Sequence, residues 1–445
     1  MLLQESLKGR VKKLAMPIFV EILLVMMLGA VDTFMLSRYS DNSVAAVGMV
    51  NQLVVLSFLV FQVIALGTSV LCSQYLGAKE EKKTVQVVGI SLVVNTIIGI
   101  IVSILLFAFS RNILELMGLR PELMTDGLTY MRIVGAFAFF QAISMTLSAA
   151  FRSANKAYYP MMVAVVVNIF SFLGNYALIF GKLGMPAMGV EGAAISTAVC
   201  RGIGVVLLFY FLFKKHIRKF PLAYFKPFPF IELKNLFKIG LPSAAEQVSY
   251  ASSQVVIVYF INKISNEALT ARAYVMNLIM FTHLLTLAIG QGGAIVIGYL
   301  IGEQRTRAAF ILGKYGIKIS VLLSVSFSIV LASCGGFIFP LLTENPEIIK
   351  MGVIILWIGV LLEAGRALNI FLVNSLRSTG DIYFPSIIGV LVMWSVAVCG
   401  SYLLGIHWGL GLIGMWIAFV FDENIRGLIF VRRWYSFKWT KKGFT

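Results

Sequence analysis

A single carboxylate stands near the end of the first apolar stretch of this sequence. Asp32 lies about 18 residues into the stretch 14–37, or roughly 27 Å along a helix that rises about 1.5 Å per residue. In a membrane this is the outer half, where a carboxylate is costly and usually binds an ion or exchanges a proton. Asp32 is therefore our candidate for cation or proton coupling and for any Na⁺ site. The alternative is a buried acid that only hydrogen-bonds a break in its helix.

Four polar side chains farther along the chain are candidate neighbours of Asp32. Asn168, Ser171 and Asn175 stand three and four residues apart, so they share one face of a helix. Thr197 offers a hydroxyl from the next apolar stretch. With Asp32 they would form an oxygen-rich patch. For Asn168 and Ser171 the alternative is ordinary hydrogen bonding between helices.

Charged residues also lie inside the apolar stretches of the second half. They are Glu246, Arg272, Glu363, Arg366, Asp422, Glu423 and Arg426. Glu363 and Arg366 are three residues apart, which places them on one helix face, and the same spacing joins Glu423 to Arg426. We expect a nearly neutralised charge network. A structural or gating role and direct binding of substrate or ion both remain open.

Twelve apolar stretches must position these side chains. Of the 445 residues, 59% are hydrophobic and only 13% are charged, with a mean hydropathy of +0.90. A soluble protein could not bury so much apolar surface. The predicted spans are 14–37, 45–75, 85–109, 123–149, 157–180, 188–213, 239–262, 270–301, 309–339, 348–373, 382–406 and 410–431. Each can cross a hydrocarbon core of about 30 Å as a helix. We therefore expect an all-α polytopic membrane protein with twelve transmembrane helices.

The Lys and Arg residues alternate between the loops. The tails and loops on the side of the N-terminus hold 24 of them, and the loops and helix ends on the other side hold six. Because cytoplasmic loops carry the excess, we expect both termini in the cytoplasm of a multi-pass protein of the plasma (inner) membrane. The net charge of +17 then reflects lipid headgroups, not nucleic acid. The four cysteines form no C-x-x-C pair, so we expect no disulfide, no metal and no cofactor beyond the coupling ion.

Sliding the sequence along itself until Pro17 falls on Pro242 superposes its two halves without a gap. The same shift places Gly67 on Gly292, Arg152 on Arg377, and Arg201 on Arg426. Because six helices separate equivalent points, the copies enter the membrane from the same side, about a pseudo-twofold axis along the membrane normal. We predict an N-terminal six-helix lobe at 1–213, a basic cytoplasmic linker at 214–238 and a C-terminal six-helix lobe with a short basic tail at 239–445.

Each copy opens with a proline followed one turn later by an acid. Pro17 precedes Glu21, and Pro242 precedes Glu246. A proline frees a backbone carbonyl and can bend the helix, so a bend at Pro17 would move Asp32. The repetition favours lobe scaffolding or a cytoplasmic gate, with direct coupling as the alternative. The repeated arginines after the fourth and tenth helices are interpreted as anchors of cytoplasmic loops.

The polar patch is not repeated. The positions equivalent to Asp32 and Thr197 in the second half hold Ile257 and Asp422. The two lobes therefore share prolines, glycines and the acids that follow the first prolines, but the second lobe has no counterpart of Asp32, which indicates different roles.

Short motifs follow one another in a fixed order along the chain. The first half carries Pro17-(x)3-Glu21, Val31-Asp32-Thr33, Ala45-Ala46-Val47, Gln74-Tyr75-Leu76-Gly77, Phe151-Arg152-Ser153, Asn175-Tyr176-(x)3-Phe180-Gly181 and Gly189-(x)2-Gly192-Ala193-Ala194. The second half repeats the opening as Gly240-Leu241-Pro242-(x)3-Glu246. In order and spacing, over essentially the whole chain, these motifs resemble the multidrug and toxic compound extrusion (MATE) transporters.

The resemblance implies a V-shaped pair of six-helix lobes that exports cationic or amphiphilic organic compounds in exchange for H⁺ or Na⁺. It also implies a coupling role for Asp32, Ser171, Asn175 and Thr197, which occupy the family's matching places. Ser171 and Asn175 stand where some members carry Asn and Asp. One carboxylate fewer lowers the expected affinity for Na⁺ and favours protons.

Two other classes of function are alternatives to an exporter. A lipid or lipid-linked oligosaccharide flippase has the same two-lobe plan, but it needs a more cationic cavity for phosphate groups. A membrane-embedded enzyme needs convergent acid, base and metal groups, which the sequence does not show beyond the charges of the second half. No G-x-x-x-x-G-K-[ST] motif exists to use ATP. We expect a monomeric secondary-active exporter.

Overall fold

The structure, a computed structural model, describes residues 2–216, 221–226 and 228–444. The predicted linker lies partly outside these ranges, including Arg218 and Lys219. All regular secondary structure in the described residues is helical, so the predicted all-α fold is confirmed. The α-helices are α1 (Leu2–Ser37), α2 (Asp41–Gly77), α3 (Glu81–Ala108), α4 (Ser110–Leu116), α5 (Met124–Ala136), α6 (Phe139–Ser153), α7 (Tyr158–Phe180), α8 (Gly189–Phe211), α9 (Phe230–Asn262), α10 (Asn266–Gly302), α11 (Thr306–Leu342), α12 (Pro346–Ser378), α13 (Tyr383–Val392) and α14 (Gly411–Tyr435).

Most of the predicted membrane spans coincide with helices that can cross a membrane. In the described part of the chain, nine helices are long and apolar enough to cross a membrane, one of them α13 continued by π-helical turns to His407. A tenth span is the pair Pro121–Ala136 and Phe139–Ser153, which bends by 45°. The remaining two predicted spans fall on α9 and α14, of 33 and 25 residues, which are not among these candidates and carry charged side chains within their length. The protein is a multi-pass membrane protein.

The internal repeat extends to the ends of the helices. α2 and α10 begin and end at equivalent positions of the two halves. Their N-cap residues, Ser40 and Ser265, repeat as well, and each side-chain oxygen accepts a hydrogen bond from a backbone N–H of the first turn. A serine cap satisfies a donor that the helix itself leaves free.

The chain divides into two units. The first unit comprises Val20–Gly240, and the second comprises Met1–Phe19 with Leu241–Thr445. α1 and α9 are therefore each shared between the units. Pro17 in α1 and Pro242 in α9 lie within three residues of the division. Since proline removes a helical hydrogen bond, each helix is weakest where it passes from one unit to the other.

A buried asparagine joins three helices of the first unit. Asn95 of α3 donates from Nδ2 to the carbonyl oxygens of Phe61 at 3.2 Å and Ala142 at 3.0 Å, and to Oγ1 of Thr146 at 2.8 Å. A buried amide must find such partners, because a lost one costs about 1–3 kcal/mol. Asn95 thus fixes α3 against α2 and α6.

The bend in the fourth span was not predicted. The sequence indicates one span over 123–149, but the structure breaks it between α5 and α6. The backbone N–H of Phe139, at the break, donates to Oγ of Ser103 at 3.1 Å. Close by, a side chain at Gly99 would meet Cα of Phe139 at 2.9 Å. A polar partner and a close approach from α3 thus support a break that no proline marks.

The second unit packs small residues against large ones. A side chain at Gly292 of α10 would meet the backbone nitrogen of Ala15 at 3.1 Å, so α1 approaches α10 closely. At the end of the chain, Trp434 and Trp439 stack with ring centroids 4.3 Å apart. The buried Asp381 pairs with Arg433 at 2.7 Å and ties the end of α14 to the unit.

Candidate functional site

Asp32 is buried in the first unit, with both carboxylate oxygens bonded. Only 4% of the residue is exposed. Nδ2 of Asn175 on α7 donates to its Oδ1 at 2.5 Å, and Oγ1 of Thr197 on α8 donates to its Oδ2 at 3.3 Å. These donors stabilise a carboxylate that burial alone would disfavour.

Small residues let α7 and α8 bring these donors together. A side chain at Gly174 would meet Oγ of Ser196 at 2.6 Å, and one at Gly192 would meet the carbonyl oxygen of Leu178 at 2.6 Å. Neither position has room for more than glycine. The two helices therefore pack closely enough for Asn175 and Thr197, each near one of these contacts in sequence, to reach the same carboxylate.

The other two predicted members of the patch differ from each other. Ser171 is fully buried and interacts with Asp32, although its hydroxyl forms no hydrogen bond of regular geometry in the described part of the chain. Asn168 donates from Nδ2 to the carbonyl oxygen of Ala164 at 2.8 Å, within its own helix. The structure thus brings Ser171, Asn175 and Thr197 to Asp32 and leaves Asn168 apart, on the wall of a neighbouring cavity.

This cavity has a volume of about 590 Å³ and lies wholly within the first unit. Helices α1, α2 and α5 to α8 line it, mostly with apolar side chains. Its charged lining residues are Glu21, Asp32, Arg152 and Arg201. Cavities of roughly 300–1,000 Å³ with a few polar groups are typical of sites for small organic molecules.

Arg201 is a lining residue whose importance the sequence analysis missed. It lies on α8 one turn after Thr197, and its guanidinium is 5.8 Å from the ring centroid of Phe58. Its charge interacts with Asp32 and with the buried Tyr130. Within the described chain, its buried Nη1 makes no hydrogen bond. The i, i+4 spacing from Thr197 was the available signal, but Arg201 was used only as a marker of the repeat.

The acids that follow the two prolines form equivalent ion pairs. Glu21 pairs with Arg152 at 3.7 Å in the first unit, and Glu246 pairs with Arg377 at 2.6 Å in the second. From the sequence alone, both arginines are expected to anchor cytoplasmic loops. Since the acids and the arginines repeat with the same offset, the repeat itself held the signal for these pairs.

The charges of the second unit form a network across α12 and α14. Arg366 pairs with Glu363 at 2.5 Å and with Glu423 at 3.9 Å, and Arg426 pairs with Glu423 at 3.2 Å and with Asp422. Both pairs expected from the i, i+3 spacing are thus present. Oγ of Ser324 and Nδ2 of Asn369 donate to carboxylates of the network, and His283 lies near it.

Two of the seven charged residues stand outside the network. Glu246 is paired directly with Arg377 and acts on Arg426 only through space. Arg272 donates to Oε1 of Gln254 at 3.0 Å and meets no carboxylate in the described ion pairs. Spacing along one helix predicts partners on that helix, whereas these two residues have theirs on other helices.

Comparison with known proteins places the chain in a family. A family model described as MatE matches residues 17–177 and 242–403, so both matched segments begin at the repeated prolines. The chain is 38% identical over 430 residues to YisQ of Bacillus subtilis, described as an uncharacterized transporter, and the match covers 97% of this chain and 94% of the relative.

Two further similar proteins support the same family assignment. Over 435 residues the chain is 25% identical to the probable multidrug resistance protein NorM of Thermotoga maritima, covering 97% of this chain and 92% of the relative. A solved structure described as the outward-facing conformation of a multidrug resistance MATE family transporter superposes with a TM-score of 0.88 at 19% identity, covering 98% of both chains. The chain belongs to the MATE family of multidrug transporters and is a transporter rather than an enzyme.

Proposed function

We propose that this transporter exports cationic or amphiphilic organic compounds in exchange for protons, with Asp32 as the coupling residue. The observation that carries the proposal is that Asp32 is among the residues that line the 590 Å³ cavity of the first unit. A cation in the cavity and a proton on the carboxylate then compete for one negative charge. By thermodynamic reciprocity, a bound cation lowers the affinity of the protein for protons, and a bound proton lowers its affinity for the cation. Exchange requires this mutual exclusion.

Protons are favoured over sodium by the groups around Asp32. Na⁺ prefers several oxygen ligands, and charged ones above all. In the first unit Asp32 is the one carboxylate of the patch, and the positive charge of Arg201 acts on it. Na⁺ would find a single carboxylate here, whereas a proton bonds covalently to one oxygen and needs no further oxygen ligands.

A lipid or lipid-linked oligosaccharide flippase is the less favoured alternative. A phosphate headgroup needs a surplus of positive charge. Two acids and two arginines line the cavity, and one arginine, Arg152, is already paired with Glu21. The cavity therefore offers no such surplus while Asp32 is ionised.

We also propose that both termini face the cytoplasm, as the 24 to six distribution of Lys and Arg supports. Reporter fusions test this orientation. A fluorescent protein that folds only in the cytoplasm should be active at the C-terminus, and a phosphatase that folds only outside it should be inactive there. The opposite pattern would contradict the orientation.

Transport in proteoliposomes with separately imposed gradients tests the proposal. A pH gradient should drive accumulation of a fluorescent organic cation, and a Na⁺ gradient at equal pH should not. Asp32→Asn should abolish the gradient-driven component while the protein elutes as a folded species in size-exclusion chromatography. Asp41→Asn, on the exposed start of α2, is the matched control and should transport normally. Full activity of Asp32→Asn would refute the coupling assignment.

A further inference from the structure

A stripe of basic side chains lies on one exposed face of α11. Arg307, Lys314 and Lys318 are spaced seven and four residues apart, which places them within about 20° of one line along the helix. All three are exposed. Farther along the same face stand Leu322 and Ile329, which are exposed as well. Because exposed apolar side chains of a membrane-spanning helix contact acyl chains, this face of α11 is turned toward lipid.

Lys318 lies deep in the membrane for a charged residue. It follows Thr306, the first residue of α11, by twelve residues, or roughly 18 Å along the helix. The hydrocarbon core is about 30 Å thick, so an ammonium group at this depth is costly even if the side chain extends toward the surface. Within the residues that the structure describes, its amine forms no ion pair and no hydrogen bond. A partner outside the chain would offset this cost.

The end of α14 adds a fourth basic residue beside the stripe. Arg432 and Tyr435 are three residues apart and both exposed. Nζ of Lys314 lies 5.9 Å from the ring centroid of Tyr435, and Phe310 packs edge to face on the same ring at 5.3 Å. α14 therefore joins α11 at this level, and the stripe together with Arg432 forms one basic surface.

The acids at this end of the two helices have other partners. Glu303 pairs with Arg305 at 3.1 Å, and Asp381 pairs with Arg433 and with Lys442, each at 2.7 Å. The residues of the basic surface take part in none of the ion pairs found among the described residues. The surface thus carries positive charge that the chain itself does not balance.

The internal repeat indicates that this charge is not needed for the scaffold. Three of the four basic residues, those beyond Arg307, have uncharged equivalents in the first half, namely Gly89, Val93 and Leu207. Val93 is exposed on α3 just as Lys318 is on α11. The helices of the first half therefore form without these charges, which points to a role confined to the second unit.

We propose that the basic surface of α11 and α14 binds an anionic phospholipid from the leaflet on the side of the C-terminus, the cytoplasmic leaflet in the proposed orientation. The phosphate binds between Lys314 and Arg432, since a guanidinium can hold two phosphate oxygens at once. Lys318 extends toward the same phosphate, and an acyl chain covers Leu322. An anionic headgroup is favoured because a zwitterionic one brings no net charge to balance the surface. All of these residues belong to the second unit, so the lipid site does not depend on the transport function proposed for the first.

Lipid binding to the purified full-length protein in detergent tests the proposal. Native mass spectrometry measures the affinity for the first bound molecule of phosphatidylglycerol, or of phosphatidylcholine with the same acyl chains. The wild type should bind phosphatidylglycerol roughly tenfold more tightly, as a charge-assisted contact to phosphate allows. Equal affinities, a preference for phosphatidylcholine, or binding of neither lipid would overturn the proposal.

Paired substitutions assign the preference to the basic surface. Lys314→Gln combined with Arg432→Gln should abolish it. Lys79→Gln combined with Lys82→Gln removes two exposed charges near the start of α3 and is the matched control, which should keep the preference. A preference that survives in the first double variant, or that disappears equally in both, would contradict the site. The wild-type comparison stands even if a variant fails to fold.

Replacement of the deep lysine separates a lipid ligand from a structural residue. Without added lipid, Lys318→Leu should unfold at the same or a higher temperature than the wild type, because the lysine has no partner in the described chain. Added phosphatidylglycerol should then raise the melting temperature of the wild type more than that of the variant. A lower stability of the lipid-free variant, or equal shifts with lipid, would count against the proposal.

Two further arms identify the source of the anion and separate this site from the exporter. Excess inorganic phosphate, added at constant ionic strength, should not displace phosphatidylglycerol, since the acyl chains contribute to its affinity. Displacement would overturn the lipid in favour of a soluble anion. A wild type that binds phosphatidylglycerol with the predicted preference but shows no gradient-driven dye export would refute the exporter and leave the lipid site in place.

Discussion

Glu246 accepts a hydrogen bond from Nη2 of Arg377 at 2.6 Å, joining the turn after Pro242 to the end of α12. The equivalent pair of Glu21 and Arg152 stands at the matching positions of the first half, in the other unit. Because this glutamate–arginine pair is present in both units, we interpret it as part of the scaffold that the two units share. It holds the acid that follows each proline, next to the place where α1 and α9 pass between the units.

Loss of one partner of this pair should destabilise the second unit. Arg377→Gln leaves a largely buried carboxylate without its charge partner, at an expected cost of roughly 3 kcal/mol. Thermal unfolding in detergent measures the loss, and Glu246→Gln with Arg377→Gln should cost less than the two single changes summed. Arg305→Gln, which breaks an exposed pair with Glu303, should cost at most about 1 kcal/mol. Equal losses for the buried and the exposed pair would contradict the account.

Replacement of Pro17 should slow transport without unfolding the protein. Pro17→Ala restores a helical hydrogen bond where α1 leaves one unit for the other, so the helix becomes stiffer there. The melting temperature should be unchanged or higher, while the rate of dye export in proteoliposomes should fall severalfold. Pro340→Ala near the exposed end of α11 is the control and should export at the normal rate. A normal rate in Pro17→Ala would show that the missing helical hydrogen bond at Pro17 takes no part in transport.

A second carboxylate beside Asp32 should change the ion dependence. Asn175 already contacts Asp32, so Asn175→Asp places two acidic side chains at one site and favours a bound cation. We expect a Na⁺ gradient to drive export by this variant although it does not drive the wild type. Asn168→Asp adds the same charge to the cavity wall away from Asp32 and should not respond to Na⁺. Similar responses of the two variants would mean that the total charge of the cavity determines the Na⁺ response, and not the position of the added carboxylate beside Asp32.

In the second unit, the paired charges should act together. Glu363→Gln leaves Arg366 with only its longer contact to Glu423, and Arg366→Gln leaves the buried Glu363 without an arginine. Removing both charges at once should therefore lower stability and transport less than either single change does. Unfolding and dye export are measured on the three variants. Additive losses would indicate that the two residues work separately.

The sequence predicted the features that depend on local spacing. Hydrophobic stretches located the helices, and the constant offset between the two halves extends to the serine caps Ser40 and Ser265, which were not predicted. The helical face of Asn175 and the pairing of Glu363 with Arg366 follow from positions along one helix. The neighbourhood of Asp32 was predicted because its partners are the polar residues of otherwise apolar spans.

Other features that depend on contacts between helices were missed. The break before Phe139 has no proline and relies on Ser103 of another helix. Arg272 has its partner on α9, and Arg201 interacts with an acid on α1, so neither relation is visible in the spacing of its own helix. The division of α1 and of α9 between the two units likewise arises from packing, which a hydrophobic pattern does not reveal.

Proton release on substrate binding tests the competition at Asp32 most directly. The purified protein is held in weakly buffered detergent solution near the pH at which Asp32 is half protonated, and a cationic dye is added while a pH indicator is followed. The wild type should release protons in proportion to the dye bound, and Asp32→Asn should bind dye without releasing them. Equal proton release by both proteins, or none by the wild type, would contradict coupling at Asp32.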